Sequence, residues 1–294
     1  MKTISYFLEY IIVSCFVALA CCLGIDKASA LFGYIAKTIG PILPVSKIAR
    51  RNIRQAFPKF TQAQLDQVLI DCWENLGRTI GELPMIATLS KSEFARRVEV
   101  KGAEHFEEIR KSGKSCIFIP GHFANWEIGP KVGCDAGLRL GVVYRKANNR
   151  FVDKQILQFR NNPDLLQIPK GKEGVRDIAR SFKEGRCLCF LVDQKLNNGI
   201  EVPFFGKNAM TAGAPAKLAL DYDCPIIPIQ IIRKTGANFA VVIHQPLKIN
   251  RDKNNSQEIY RIMCKINYIY EEWIKKNPGQ WFWLHKRWPK EFYE

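Results

Sequence analysis

The residues best suited to chemistry lie where a short apolar run meets a histidine and a carboxylate. Residues 115–119 form a run typical of a buried strand, and a Pro-Gly pair ends it. His122 follows at once, and Asn125 is placed to cap a helix whose first turn would hold Glu127. A histidine there can present one ring nitrogen to a substrate while Glu127 holds the other. This pattern predicts removal of a proton from a hydroxyl group.

The spacing of His122 and Glu127 is not specific by itself, because any helix start near a histidine produces it by chance. The alternative is a histidine packed in a loop and a glutamate that complements the positive end of a helix. Only the rest of the chain can separate these two interpretations.

Length and composition indicate a globular protein with an affinity for anions. The 294 residues are 47% hydrophobic, enough for a sizeable core, which excludes a disordered or fibrous chain. The 44 Lys and Arg against 28 Asp and Glu give a net charge of +16. Nucleic acid, acidic lipid headgroups and an acidic protein are therefore the candidate partners.

The N-terminus contains a long apolar segment. Residues 10–24 are almost wholly apolar and, with residues 6–8, approach the ~20 residues that span a bilayer. Glu9 is the single charge within it. A cleaved signal peptide is the alternative, since Lys2 gives a basic start and residues 28–30 (ASA) resemble a cleavage site. The positive charge downstream, which exceeds that of Lys2, favours a membrane anchor over residues 1–30 with the rest of the chain cytoplasmic.

The hydrophobic pattern after this segment divides the chain into two further regions. Residues 31–97 carry apolar residues at helical spacing, and Thr61 with Gln64 forms a capping box, which predicts a helical extension. Strands and helices alternate over residues 98–294, which predicts an α/β domain with a mostly parallel central sheet flanked by helices. The predicted strands cover residues 116–119, 138–144, 187–192, 226–233 and 240–244. The predicted helices cover residues 151–161, 174–182, 214–221 and 256–275.

Polar residues follow three of the predicted strands. His122 follows the first, Arg145 the second, and Asp193 the third. Because ligands bind outside the carboxyl ends of the strands in such sheets, we expect these residues to converge on one cleft. Arg145 and Arg160 suit an anionic headgroup, since a guanidinium donates two bonds at once, although simple solvation is the alternative for both. For Asp193 the alternative is a capping role in an ordinary turn.

Two further segments allow more than one interpretation. The apolar loop 202–206 (VPFFG) either lines a channel for a hydrocarbon chain or fills the core. Residues 281–288 (WFWLHKRW) suit a membrane interface, a stacking surface for nucleobases, or packing against the domain. The sequence contains no G-x-S-x-G, no H-E-x-x-H and no phosphate-binding glycine loop, which argues against the familiar serine hydrolases, zinc peptidases and nucleotide enzymes.

Taken together, the motifs resemble those of the bacterial lipid A late acyltransferases, within the wider lysophospholipid acyltransferase superfamily. The resemblance covers most of the chain, and the order and spacing of its motifs are more specific than the His122–Glu127 pair. Its carriers are residues 121–127 (GHFANWE), 144–145 (YR), 193–195 (DQK), 199–206 (GIEVPFFG), Thr211, 215–216 (PA) and the segment from 280 to 288.

This resemblance implies that His122 and Glu127 form the catalytic pair and that Arg160 and Asp193 are further essential positions, with the Arg160 match the looser one. We expect Arg145, Arg160 and Asp193 to bind substrate. It implies transfer of a fatty acyl group from acyl carrier protein to a hydroxyl of a lipid A precursor of the Kdo2-lipid IVA type, with no cofactor and no metal. It also implies a single anchor in the inner membrane and an active site facing the cytoplasm.

Two alternatives remain at this stage. The first is an acyltransferase of the same superfamily that acts on a lysophospholipid or another glycolipid. The second is a membrane-tethered nucleic-acid-binding protein, which the positive charge and the aromatic-basic segment would permit. We expect the partners to be acyl carrier protein, an anionic glycolipid and the membrane rather than nucleic acid.

Overall fold

A computed structural model describes residues 2–251 and 255–294 of the chain. The N-terminal third is helical, as predicted. Its helices are α1 (Lys2–Leu23), α2 (Ile25–Ile39), α3 (Ser46–Ala56), α4 (Gln62–Ile86) and α5 (Lys91–Arg97). Thr61 and Gln64 form the predicted capping box at the start of α4. Gly24 separates α1 from α2 at φ 75°, a conformation that only glycine adopts without strain, so the apolar helix ends there.

The remainder is the predicted α/β domain. The helices are α6 (Ala103–Ser112), α7 (Ile128–Asp135), α8 (Arg150–Phe159), α9 (Lys172–Lys183), α10 (Ala214–Asp221) and α11 (Asn255–Lys276). The strands are β1 (Val98–Lys101), β2 (Ile117–Ile119), β3 (Leu140–Tyr144), β4 (Leu165–Pro169), β5 (Cys187–Cys189), β6 (Ile200–Phe204), β7 (Lys207–Thr211), β8 (Ile226–Arg233) and β9 (Phe239–Ile243).

Seven of these strands form one sheet in the order β1-β9-β8-β2-β5-β3-β4. Within this sheet, as far as the structure describes it, neighbours run parallel except β8 and β9. Strands β6 and β7 form a separate antiparallel hairpin. The sheet has the mostly parallel, helix-flanked architecture that the sequence predicts.

The five predicted strands are present as β2, β3, β5, β8 and β9, and the four predicted helices as α8 to α11. The sequence analysis missed β1, β4 and the hairpin. Strands β1 and β4 lie at the two edges of the sheet, where burial is incomplete and the hydrophobic signal is weak. The hairpin contains Pro203, which counts against a strand in a sequence pattern.

Two hydrophobic clusters pack on the sheet. One contains Ile53 of α3, Leu69 of α4, Ile266 of α11 and the buried tryptophans of the C-terminal segment. The other contains Phe106 of α6 and residues of α7. Helices α3 and α4 therefore share a core with the sheet, while the boundaries 1–30, 31–97 and 98–294 stay a prediction.

The two ambiguous segments both belong to the core. Trp281, Trp283 and Trp288 are fully buried, so the packing interpretation of residues 281–288 is confirmed. Val202 and Phe204 of the hairpin are also fully buried and join the first cluster, which confirms the core interpretation of the 202–206 segment.

One described helix, Thr3–Leu23, is long and apolar enough to cross a membrane, with a mean hydropathy of 2.1. Most of it is exposed and only Ala20 is buried, as a membrane anchor requires. Its partners in the protein include α8, α2 and α4. Helix α1 is thus in contact with α8, which belongs to the α/β part of the chain.

Candidate active site

His122 and Asp193 are neighbours because of the register of two central strands. Strands β2 and β5 run parallel, with Phe118 opposite Cys189. His122 and Asp193 each follow that pair by the same number of residues, at the carboxyl ends of the strands. Equal offsets from paired positions bring the two side chains together.

Asp193 is fully buried and accepts three hydrogen bonds. Oδ1 lies 2.8 Å from His122 Nδ1, and Oδ2 accepts from the His122 backbone N–H at 2.7 Å and from Trp281 Nε1–H at 2.8 Å. Burial alone would raise the pKa of Asp193, but the charge and hydrogen bonds of His122, with the Trp281 donor, hold this pKa below its ordinary value. Asp193 is therefore a carboxylate at neutral pH.

This carboxylate fixes the tautomer of the ring. With Nδ1–H directed at Asp193, Nε2 is left as the free acceptor nitrogen. The His122 side chain is 18% exposed and lines a cavity. The His122–Asp193 pair therefore has the geometry of a general base whose ring is oriented by a buried carboxylate.

Glu127 has a different partner from the one expected. Its two oxygens accept from Arg160 Nε at 2.8 Å and Nη2 at 2.5 Å, so the expected orientation of His122 by Glu127 is wrong. The physical reason is that Glu127 lies at the start of α7, whereas Asp193 follows β5, the strand that pairs with β2 and so ends next to His122. Burial would lower the pKa of Arg160, but Glu127 raises it above its ordinary value.

Hydrogen bonds from helix α4 hold the loop that carries His122. Ala124 has φ 48°, and its carbonyl accepts from Asn75 Nδ2 at 3.1 Å and Thr79 Oγ1 at 2.9 Å, both on α4. A Cβ on Gly121 would come within 2.6 Å of the Phe123 ring and 3.2 Å of Asp193 Oδ2. Glycine at this position therefore permits the close approach of Asp193 to the loop.

Glu82 of α4 forms a second, fully buried support. It accepts from Asn125 Nδ2 at 2.8 Å and from Ser29 Oγ at 2.6 Å, and it forms an ion pair with Arg233 of β8. A buried charge needs such complete pairing, because an unpaired one is costly. The network ties α2, α4 and β8 to the loop 121–127.

His122 opens onto a cavity of about 800 Å³. Its walls include apolar side chains of the sheet, among them Phe118, Leu140 and Val142. The cations that also line it are Lys131, Arg145, Arg160, Lys170 and Lys195. Burial lowers the pKa of Lys170, and the nearby charge of Arg145 lowers it further. A site of this size and composition suits a ligand with an apolar chain and an anionic group.

The cavity brings together most of the residues singled out in the sequence. His122, Glu127, Arg145 and Arg160 all line it. The convergence expected of the strand ends is seen for His122, Arg145 and the residues that directly follow Asp193. Asp193 is the exception, because it is fully buried next to the His122 ring and does not line the cavity, so its expected role in substrate binding stays a prediction.

Sequence reasoning missed the roles of Trp281, Glu82, Arg233 and Lys170. Only Trp281 lay in a segment already marked as unusual. Within the described residues, no three His, Cys, Asp or Glu side chains gather as metal ligands.

Comparison with known proteins assigns this chain to a family. The sequence profile described as "Bacterial lipid A biosynthesis acyltransferase" matches residues 1–290. A lipid A biosynthesis acyltransferase of Haemophilus influenzae is 26% identical over 250 residues, covering 82% of this chain and 76% of the relative. A lipid A biosynthesis lauroyltransferase of Escherichia coli is 22% identical, covering 82% and 78%.

More distant similarities extend beyond these relatives. A phosphatidylinositol mannoside acyltransferase of Mycobacterium tuberculosis is 20% identical over 265 residues, covering 87% of this chain and 79% of that one. Among solved structures, the 1-acyl-sn-glycerophosphate acyltransferase PlsC of Thermotoga maritima matches with a TM-score of 0.40 and 14% identity, covering 85% and 96%. The profile match over nearly the whole chain shows that this protein belongs to the bacterial lipid A biosynthesis acyltransferase family.

Proposed function

We propose that this protein transfers a fatty acyl group from acyl carrier protein to a hydroxyl of a lipid A precursor of the Kdo2-lipid IVA type. The observation that carries the proposal is the His122–Asp193 pair, which opens onto an apolar cavity with cations among its lining residues. Membership of the family supports the acyltransferase activity. The donor, the acceptor and the roles of individual residues are our proposal.

In this mechanism His122 acts as general base. Nε2 removes the proton of the acceptor hydroxyl as its oxygen attacks the thioester carbonyl. The Asp193 carboxylate stabilises the imidazolium that forms. Collapse of the tetrahedral intermediate breaks the C–S bond, and the thiolate of the carrier leaves with the proton returned by His122. The products are an ester and a free thiol, with no cofactor required.

The proposed roles of Glu127 and Arg160 differ from that of Asp193. Their paired charges, 2.5 Å apart at the closest atoms, form part of the cavity wall beside His122. We propose that this pair shapes the wall and fixes the position of Arg160 near the reacting groups. Arg145 is then the better placed cation for an anionic headgroup, because it is exposed and its guanidinium suits phosphate.

The overall charge supports anionic partners. A net charge of +16 attracts both an acidic carrier protein and an anionic glycolipid. The exposed apolar helix Thr3–Leu23 supports residence at a membrane, where such an acceptor is found. The basic residues that follow this helix support an inner-membrane location with the active site on the cytoplasmic side.

A second acceptor class deserves a direct test, because the mycobacterial relative is named for a different glycolipid. We would incubate detergent-extracted protein with a labelled acyl group carried either on acyl carrier protein or on coenzyme A, and offer each donor a lipid A precursor, a phosphatidylinositol mannoside or a lysophospholipid. We expect product with the lipid A precursor. Product with only one of the other acceptors would replace the proposed acceptor, and transfer from acyl coenzyme A but not from the carrier protein would replace the proposed donor.

A further inference from the structure

The apolar helix α1 carries one charged side chain that membrane anchoring does not explain. Glu9 is the single charge between Thr3 and Leu23. An ionisable residue in an apolar membrane segment is costly, and a polar partner usually accompanies it. Here the partner lies in the catalytic domain.

Asn149, which is only 6% exposed, is that partner. Its Nδ2 donates to Glu9 Oε2 at 2.8 Å and to the Tyr6 carbonyl at 2.7 Å. Its Oδ1 accepts from the Phe151 backbone N–H at 3.0 Å and so caps helix α8. One side chain therefore joins the start of α8 to the anchor helix.

Further contacts extend this junction along both helices. Gln155 of α8 donates to Ser14 Oγ at 3.3 Å. The ring of Phe151 lies 6.0 Å from the rings of both Phe7 and Tyr10, measured between centroids. Helix α1 is thus bound to α8 by polar and aromatic contacts together.

Helix α8 also forms part of the active-site wall. Ile156 and Phe159 of α8 line the cavity, and Arg160 follows directly and pairs with Glu127. A helix of ten residues is about 15 Å long and moves as a unit, so its N-terminal attachment affects the position of its C-terminal end.

We propose that Glu9 is a positioning residue: through Asn149 it holds α8, and with it Arg160, in place against the cavity, so that the anchor helix is a structural part of the active site. This inference rests on the proposed function for its activity readout. It does not depend on whether α1 spans the bilayer or lies in its surface.

Substitution of Glu9 separates anchoring from positioning. Glu9→Leu makes α1 more apolar, so membrane association cannot weaken through lost hydropathy, but it removes the acceptor for Asn149. Glu9→Gln keeps an acceptor oxygen and serves as the conservative variant. Cys21→Leu changes an exposed position on the same helix and is the matched control. Asn149→Asp retains a good helix cap but loses the donor.

Two readouts are measured on the full-length protein in vesicles. We expect Glu9→Leu and Asn149→Asp to lower kcat/KM for acyl transfer about tenfold, which corresponds to about 1.4 kcal/mol. Glu9→Gln and Cys21→Leu should stay within twofold of wild type, and all variants should float with the vesicles. Amide hydrogen exchange over residues 150–159 should be faster in Glu9→Leu than in Glu9→Gln.

The two readouts keep this inference separate from the proposed function. If wild type transfers no acyl group, the proposed function fails, and the exchange rates alone decide the positioning. Unchanged exchange over residues 150–159 in Glu9→Leu overturns the inference, whatever the activity. A kcat/KM for acyl transfer in Glu9→Leu equal to that of wild type also overturns the inference.

Discussion

Asp193→Asn tests whether the Asp193 carboxylate sets the tautomer of His122, because asparagine has almost the same shape as aspartate. Three N–H donors point at the two oxygens of Asp193, and two of them share Oδ2. An amide oxygen in the Oδ2 position satisfies those two donors, so the NH2 group must face His122 Nδ1. The ring then accepts at Nδ1 and carries its proton on Nε2, where it cannot act as a base.

The size of the effect follows from two losses. The wrong tautomer is one, and the loss of the negative charge 2.8 Å from the ring, which stabilises the imidazolium, is the other. The same carboxylate-to-amide change in hydrolase triads lowers kcat by about 10⁴. For this site we expect a fall of about 10³ to 10⁴, equivalent to about 4 to 5.5 kcal/mol of transition-state stabilisation.

The assay measures initial rates of acyl transfer from acyl carrier protein to the lipid A precursor. Asp177→Asn, at a surface ion pair on α9, is the matched control and should transfer at the wild-type rate. The melting temperature of Asp177→Asn should stay close to that of wild type. Asp193→Asn should remain folded at the assay temperature with a lower Tm, because the stabilisation that the lowered pKa of Asp193 gives at neutral pH is lost. A rate for Asp193→Asn above about a tenth of wild type would refute the reasoning, because the tautomer would then not depend on this carboxylate.

Three further changes test other parts of the account. Glu127→Gln should lower kcat about 10- to 100-fold, because a displaced Arg160 misplaces the cavity wall, and full activity would contradict this role. Glu82→Gln should lower Tm by roughly 6 °C or more, since a broken buried ion pair costs about 3 kcal/mol or more. Glu74→Gln, in a more exposed pair on the same helix, is its control, and equal losses of Tm would contradict the estimate. Burial lowers the pKa of His285 to about 4 in the folded protein. Because this lies below the unfolded value near 6.5, its stability contribution is complete above about pH 6.5 and is lost as pH falls toward 4, at about 1.4 kcal/mol per unit at most. Wild-type Tm should therefore fall more steeply than that of His285→Gln between pH 6.5 and 5, and parallel curves would contradict the assignment.

Much of the fold was predictable because its central strands are buried on both faces. Strand β2 is a continuous apolar run, β8 is apolar except for Gln230 and Arg233, and turn residues mark their ends. The edge strand β1 alternates valine with charged residues over only four positions, which is too short for a reliable pattern. The outer parts of the sheet therefore became visible only in the structure.

The sequence predicted which residues belong to the candidate site, but it did not predict which carboxylate contacts His122. Because ligands bind at the carboxyl ends of the strands in such sheets, the sequence predicted that His122, Arg145 and Asp193 lie at one edge of the sheet. Sequence proximity then suggested Glu127 as the partner of His122, whereas strand register made Asp193 the partner. Register depends on long-range pairing, which a single sequence does not show.

The buried supports were beyond sequence reasoning for a related reason. Glu82 lies on a helix whose pattern indicates only an amphipathic segment, and Arg233 ends a strand far along the chain. Their meeting, and their contact with Asn125, result from tertiary packing. The contact between Glu9 and Asn149 has the same origin.

The most direct test of the central claim is the rate of acyl transfer by His122→Ala beside wild type, with acyl carrier protein as donor and the lipid A precursor as acceptor. We expect product from wild type and a rate lower by at least about 10³ in the variant, with membrane association and Tm retained. A variant that transfers at close to the wild-type rate would contradict the general-base role of His122 and move the active site elsewhere.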